Sequence, residues 1–177
     1  RHLRAGFQGP DCQVFLLGAG LEQPTSTLGA SEYLDALHGV VAGMPAVDLA
    51  AEKRLQQLVL RAHAEGLLVS AHDCSDGGLA VTLAECSVLG EQGFEGDAQL
   101  PGRLDAALFG EAQGRIVVSI PDDSFRQGGG AARLHDLANE LGVPIAPLGR
   151  TVPGDTFSFG PLRTSVTALR QAYESLL

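Results

Sequence analysis

The chain has 177 residues, 45% of them hydrophobic, which suits one compact domain that buries roughly 70% of its unfolded surface. Its formal charge is −9, and only one of the 12 basic residues, Lys53, is a lysine. With no basic run or aromatic–basic face, this balance argues against nucleic acid as a partner. Apolar runs such as 14–17 are far too short to cross a bilayer, which argues against a membrane partner. The start, "RHLRAGFQGPD", lacks the apolar core and cleavage pattern of a signal peptide. No initiator Met opens the chain, so a fragment of a longer chain is expected. Cys12, Cys74 and Cys86 have no CxxC spacing and make neither a disulfide framework nor a zinc site, which points to a reducing cytoplasm.

In chain order, "CQVFLLG" reads as a buried strand ended by glycine. A loop follows. Ser31 then caps a helix, "SEYLDALHG", with Tyr33, Leu34 and Leu37 on one apolar face. Asp48 caps a long amphipathic helix carrying Leu55, Leu58, Val59 and Ala62 and stopped by Gly66. "LLVSAH" (67–72) reads as a strand buried on both faces. "GGLAVTLAECSVLG" is a helix with Leu79, Leu83, Cys86 and Ser87 or Val88 turned inward. "GFEGDAQLP" reads as an edge strand, and "RIVVSIP" as a central strand rich in β-branched residues. "RQGGGAA" is a surface turn leading into a helix that ends at Gly142. "VPIAPLGRTV" and "DTFSFG" are strands, and "LRTSVTALRQAYESLL" a closing helix. The order predicts an α/β (α+β) three-layer α/β/α sandwich with a mixed sheet.

The stretch 70–90, "SAHDCSDGGLAVTLAECSVLG", places two aspartates where a strand turns into a helix. A helix start offers unpaired N–H groups and a partial positive charge, and Gly77 and Gly78 allow close approach, an arrangement suited to phosphate. Asp73 and Asp76 oppose a bare phosphate unless a cation or an Arg intervenes. In the simpler reading, Asp76 accepts from the amides of Gly78 or Leu79 as the N-cap, and Asp73 ties down the loop as an Asx turn. His72 reads as a hydrogen-bonded structural histidine, and Cys74 as a small filler of a packed loop. No P-loop and no Ser/His/Asp or Cys/His order is present.

Five segments, in order, resemble motifs of the phosphoribosylformylglycinamidine synthases. "SAHDCSDGGLAVTLAE" is similar to their "AHD-x-SDGGL" signature. "LLGAG" with "LGASEYLDALHG" is similar to their "GGSEYL" segment, "VDLAAEKRLQQLVLRAHAEGLLVSAHD" to their long helix and strand, "LFGEAQGRIVVSI" to "LF-SE-S-x-GR", and "PIAPLGRT" to "IG-x-VG".

The resemblance implies that residues 1–177 are a single domain, the C-terminal domain of the second half of such a synthase, like the C-terminal domain of aminoimidazole ribonucleotide synthetase. The whole enzyme would make formylglycinamidine ribonucleotide from formylglycinamide ribonucleotide, ATP and glutamine-derived ammonia. ATP and Mg2+ would serve the full enzyme, with none expected on this fragment alone. The implied partners are N-terminal ATP-binding domains of the same chain, a glutaminase subunit or domain, and a small accessory subunit. No catalytic residue or metal ligand is expected here. The implied nucleotide or phosphate contacts are His72, Asp73, Ser75, Asp76, Gly77, Gly78, Glu111 and Gln113. The substrate motif "ESQ-E-R" reads "GEAQGR" here, with Ala112 and Gly114 departing from it. Three alternatives stay open: a nucleotide-retaining domain, a purely structural one, and a sister-family ATP-dependent synthetase or kinase, which the "SDGGL" and "SEYL" pair opposes.

Overall fold

The computed structural model describes residues 2–122 and 129–175. A seven-stranded sheet is built from β1 (Cys12–Gly18), β2 (Ser70–Asp73), β3 (Gly93–Gly96), β4 (Arg115–Pro121), β5 (Ile145–Val152), β6 (Thr156–Phe159) and β7 (Leu162–Ser165), in the order β2-β4-β1-β5-β3-β6-β7. All neighbours run antiparallel except β3 and β6. The helices are α1 (Glu32–His38), α2 (Leu49–Ala64), α3 (Gly78–Gly90), α4 (Leu104–Phe109), α5 (Gly130–Leu141) and α6 (Val166–Glu174).

The layering follows from alternation along the central strands. Successive side chains of a strand point to opposite faces. In β1, Val14 and Leu16 enter one core with Leu79, Leu83, Cys86 and Phe94, while Phe15 and Leu17 enter the other with Leu55, Leu58, Leu134 and Leu137. One face is thus covered by α3, with α4 and α6 packed against it, and the other by α2 and α5. The expected three-layer α/β/α sandwich with a mixed sheet is what the chain forms.

Local chemistry sets the helix ends. Asp48 accepts from the amides of Ala50 (2.9 Å) and Ala51 (3.0 Å), as expected of the α2 cap. The Ala51 amide, then that of Ala50, holds its carboxyl below the usual aspartate range. A folded pKa lowered in this way contributes stability above the ordinary aspartate pKa and loses it as pH falls through the folded value. Asp48→Ala is therefore expected to lower the thermal midpoint by a few degrees at neutral pH, with the difference from wild type shrinking in acid. Ser31 caps α1 through Leu34, and Gly142 closes α5 in the left-handed conformation.

Several segments differ from the sequence-based expectations. The strand read at 67–72 shortens to β2, an edge strand whose His72 is half-buried, because among the described residues it pairs with β4 alone and meets only an isolated bridge from Arg4 on its outer side. The segment read as an edge strand supplies β3, which lies between β5 and β6, because Phe94 is fully buried against Phe7, Phe157 and Phe159. The closing helix starts later than expected, since 162–165 pair with β6 as β7. α4 had no counterpart in the expected order. Leu37, placed on the apolar face of α1, is 61% exposed. Residues 126–128 of the "RQGGGAA" turn and 176–177 of the last helix lie outside the described residues.

Candidate functional site

β2 delivers His72 and Asp73 to the corner, and α3 leaves it. The left-handed Gly77 (φ 75°) and Gly78 (φ 69°) make the turn, which is closed by the Gly78 amide donating to the Ser75 carbonyl at 3.1 Å. A side chain on Gly78 would meet the carbonyl oxygen of Gly110 at 2.7 Å, so only glycine fits between the corner and the 110–114 loop.

The expected Asp76 cap does not form. Gly77 is the N-cap of α3, and no side chain of its own segment caps it. Glu111 fills the role instead: its Oε1 accepts from the Gly77 amide at 2.8 Å and from the Glu32 amide, in the first turn of α1, at 2.9 Å. The backbone N–H of Glu111 donates to the Thr27 carbonyl at 2.8 Å, which fixes the base of this side chain. A carboxylate thus sits where an external anion would approach the α3 N-terminus, and the dipole of α3 is already complemented. Asp76 is left exposed.

Asp73 behaves as expected of a loop tie. Its Oδ2 accepts from the Ser75 hydroxyl at 2.5 Å, and this bond is the main reason its carboxyl lies below the usual range. His72 Nδ1 lies 2.9 Å from the Asp73 carbonyl oxygen, and its Nε2 lies 3.4 Å from Glu85 Oε2. Burial pushes the Glu85 carboxyl up; His72 opposes this, and Asp73 and Asp76 add to it. Cys74 is buried and its thiol is pushed up by burial, which fits the packing role expected of it.

The loop is supported from beneath by Arg115, 2% exposed, whose Nη2 donates to the Gly110 carbonyl and Nε to that of Ala112 at 3.4 Å. Its Nη1 has no hydrogen-bond partner among the described residues. Burial lowers the pKa of the guanidinium. On its other side, Glu111 lines a cleft of ≈ 600 Å³ whose wall also includes Asp48, Glu52, Arg54, Gln113 and Val143.

The structure therefore brings Gly77, Glu111 and the Asp73–Ser75 pair into one corner, with half-buried His72 packed between Asp73 and Glu85 and Asp76 exposed. Gln113 is exposed and shares the cleft wall with Glu111. Sequence reasoning missed Glu85 and Arg115. Glu85 was findable as the one charge in the otherwise uncharged α3, whereas Arg115 showed only as the closing Arg of the "GEAQGR" segment, at the start of a core strand, with nothing to announce its burial. Among the described residues no group of three or more His, Cys, Asp or Glu side chains is arranged to hold a metal ion.

The layered sheet and this corner define a class. The chain belongs to the family described as "AIR synthase related protein, C-terminal domain", whose model matches residues 9–160. Within it, the chain is similar to the phosphoribosylformylglycinamidine synthase subunit PurL of Anaeromyxobacter sp. (strain Fw109-5), with 47% identity over 160 residues, covering 82% of this chain and 20% of that protein. The chain thus spans about a fifth of the length of the curated relatives it matches. Two solved structures share the fold. T. maritima PurL complexed with FGAR matches with a TM-score of 0.77 and 18% identity, covering 95% of this chain and 29% of that one. T. maritima PurL complexed with ATP matches with a TM-score of 0.70 and 17% identity, covering 95% and 27%. The resemblance read from the five motifs is borne out at the level of family and fold.

Proposed function

We propose that this chain is a C-terminal domain, spanning 1–177, of a phosphoribosylformylglycinamidine synthase, and that it forms one wall of the second-half site rather than a catalytic centre. The whole enzyme would convert formylglycinamide ribonucleotide, ATP and glutamine-derived ammonia to formylglycinamidine ribonucleotide. Companion N-terminal domains would supply ATP binding, and a glutaminase subunit or domain would supply ammonia. A small accessory subunit completes the implied assembly, in a cytoplasm that keeps the three free cysteines reduced. Among the described residues no helix is long and apolar enough to cross a membrane.

The observation that carries this reading is the Glu111 carboxylate on the Gly77 amide. A corner already holding its own anion is a poor cradle for a bare phosphate. Its exposed carboxylates, Asp73 and Asp76, suit a magnesium ion that keeps most of its waters and is shared with nucleotide phosphates held by a companion domain. In that arrangement Asp73 and Asp76 face the hydrated ion, Ser75 holds Asp73 in place, and His72 positions the strand end against Glu85. Gly77 and Gly78 shape the corner, while Glu111 and Gln113 border the neighbouring cleft.

The test is ADP titration with magnesium into the full-length protein, with and without Asp76→Ala. The variant is expected to weaken magnesium-dependent ADP binding by about tenfold and to leave thermal stability near wild type, since Asp76 caps nothing. Unchanged retention would reduce the corner to scaffold. The 177-residue chain alone, given formylglycinamide ribonucleotide, ATP and ammonium, is expected to show no turnover; turnover would overturn the non-catalytic assignment.

A further inference from the structure

Residues 35–50, from the end of α1 to the start of α2, are all exposed. Six of the ten large hydrophobic side chains exposed among the described residues lie here: Leu37, Val40, Val41, Met44, Val47 and Leu49, from 43% to 88% exposed. No Asp, Glu, Lys or Arg falls between Asp35 and Asp48. Single exposed apolar residues are ordinary, whereas a contiguous patch with a polar rim marks an interaction surface.

The strip is fixed in place rather than loosely tethered. Gly39 closes α1 with its amide on the Asp35 carbonyl at 2.8 Å, and the Ala30 amide donates to the Ala42 carbonyl at 2.7 Å. Asp48 caps the next helix. Backbone anchored at three points while the apolar side chains face outward is pre-organised for a partner, because little ordering cost remains on binding.

We propose that residues 37–49 form a docking strip covered by another domain of the same polypeptide. This rests on the reading that the chain belongs to a longer synthase. One observation favours an intrachain occupant, and a second describes its surface. The relatives that this chain matches at 47% and 43% identity carry about four-fifths of their length outside the matched segment. The strip is also flanked by the acids Glu32, Asp35 and Asp48, on a chain of charge −9, so it fits a surface with an apolar centre and a basic rim.

Thiol labelling reads this directly, because Cys12, Cys74 and Cys86 are all buried. In the full-length protein, Met44→Cys and Val41→Cys are each compared with Gln57→Cys, an exposed position on α2, with maleimide uptake followed peptide by peptide. Both strip cysteines are expected to label at least about tenfold more slowly than Cys at 57, independently of protein concentration and without any added chain. Equal rates overturn the proposal. Protection that appears only at high protein concentration, with an added glutaminase, or with lipid vesicles overturns it too, by giving the strip to a second copy, another chain or a bilayer. Synthase activity of the same preparations separates the two ideas: activity without protection sinks the docking strip alone, and protection without activity sinks the functional reading and leaves the strip covered.

Discussion

Gly18→Ala is expected to destabilise the chain by about 3–5 kcal/mol, combining backbone strain with overpacking. Gly18 ends β1 at φ 96°, in the region glycine tolerates and other residues resist. A Cβ there would lie 2.0 Å from the Gly114 carbonyl oxygen and 3.1 Å from Leu55 Cδ2. That carbonyl also accepts from the Ala19 amide at 3.0 Å, so it cannot retreat without losing a bond. The same substitution at Gly20, where a Cβ meets nothing within 4 Å, is the control and is expected to be near neutral. Urea unfolding of the two variants checks the contrast, and equal midpoints would refute it.

Glu111→Ala is expected to cost about 2–3 kcal/mol, because it frees two backbone amides held by one carboxylate. Glu111→Gln, which keeps an accepting oxygen, is expected to cost less than half as much. The alanine variant carries a further signature. With the resident carboxylate gone, inorganic phosphate should raise its melting temperature more than it raises that of wild type, as an open helix N-terminus favours anions. A phosphate response equal in both proteins would show that Glu111 does not fill the anion position.

Much of the architecture is readable from residue pattern. The β1 and β4 segments announce themselves by branched apolar runs, and Asp48, Ser31 and Gly142 sit where helix-end chemistry places them. The misreadings share one cause: a short segment's partners are set by residues far away in the chain. "GFEG" carries one large apolar residue and a charge, a profile that fits an edge strand. The aromatic cluster of Phe7, Phe157 and Phe159 that draws Phe94 inward is invisible locally. Asp76 has the ideal identity for a cap, yet a left-handed Gly77 takes the cap position and a glutamate 34 residues away supplies the bond. The exposure of Leu37 was hidden for a related reason, since helical spacing predicts an apolar face but not whether this chain supplies what covers it.

The two bonds to Glu111 have a mechanical meaning. One oxygen atom ties the N-cap of α3 to the first turn of α1, and α1 runs straight into the apolar strip. Those segments are therefore yoked: a ligand that tugs on the glycine turn also pulls on the helix feeding the strip, and a neighbour pressing on the strip pushes back along the same linkage.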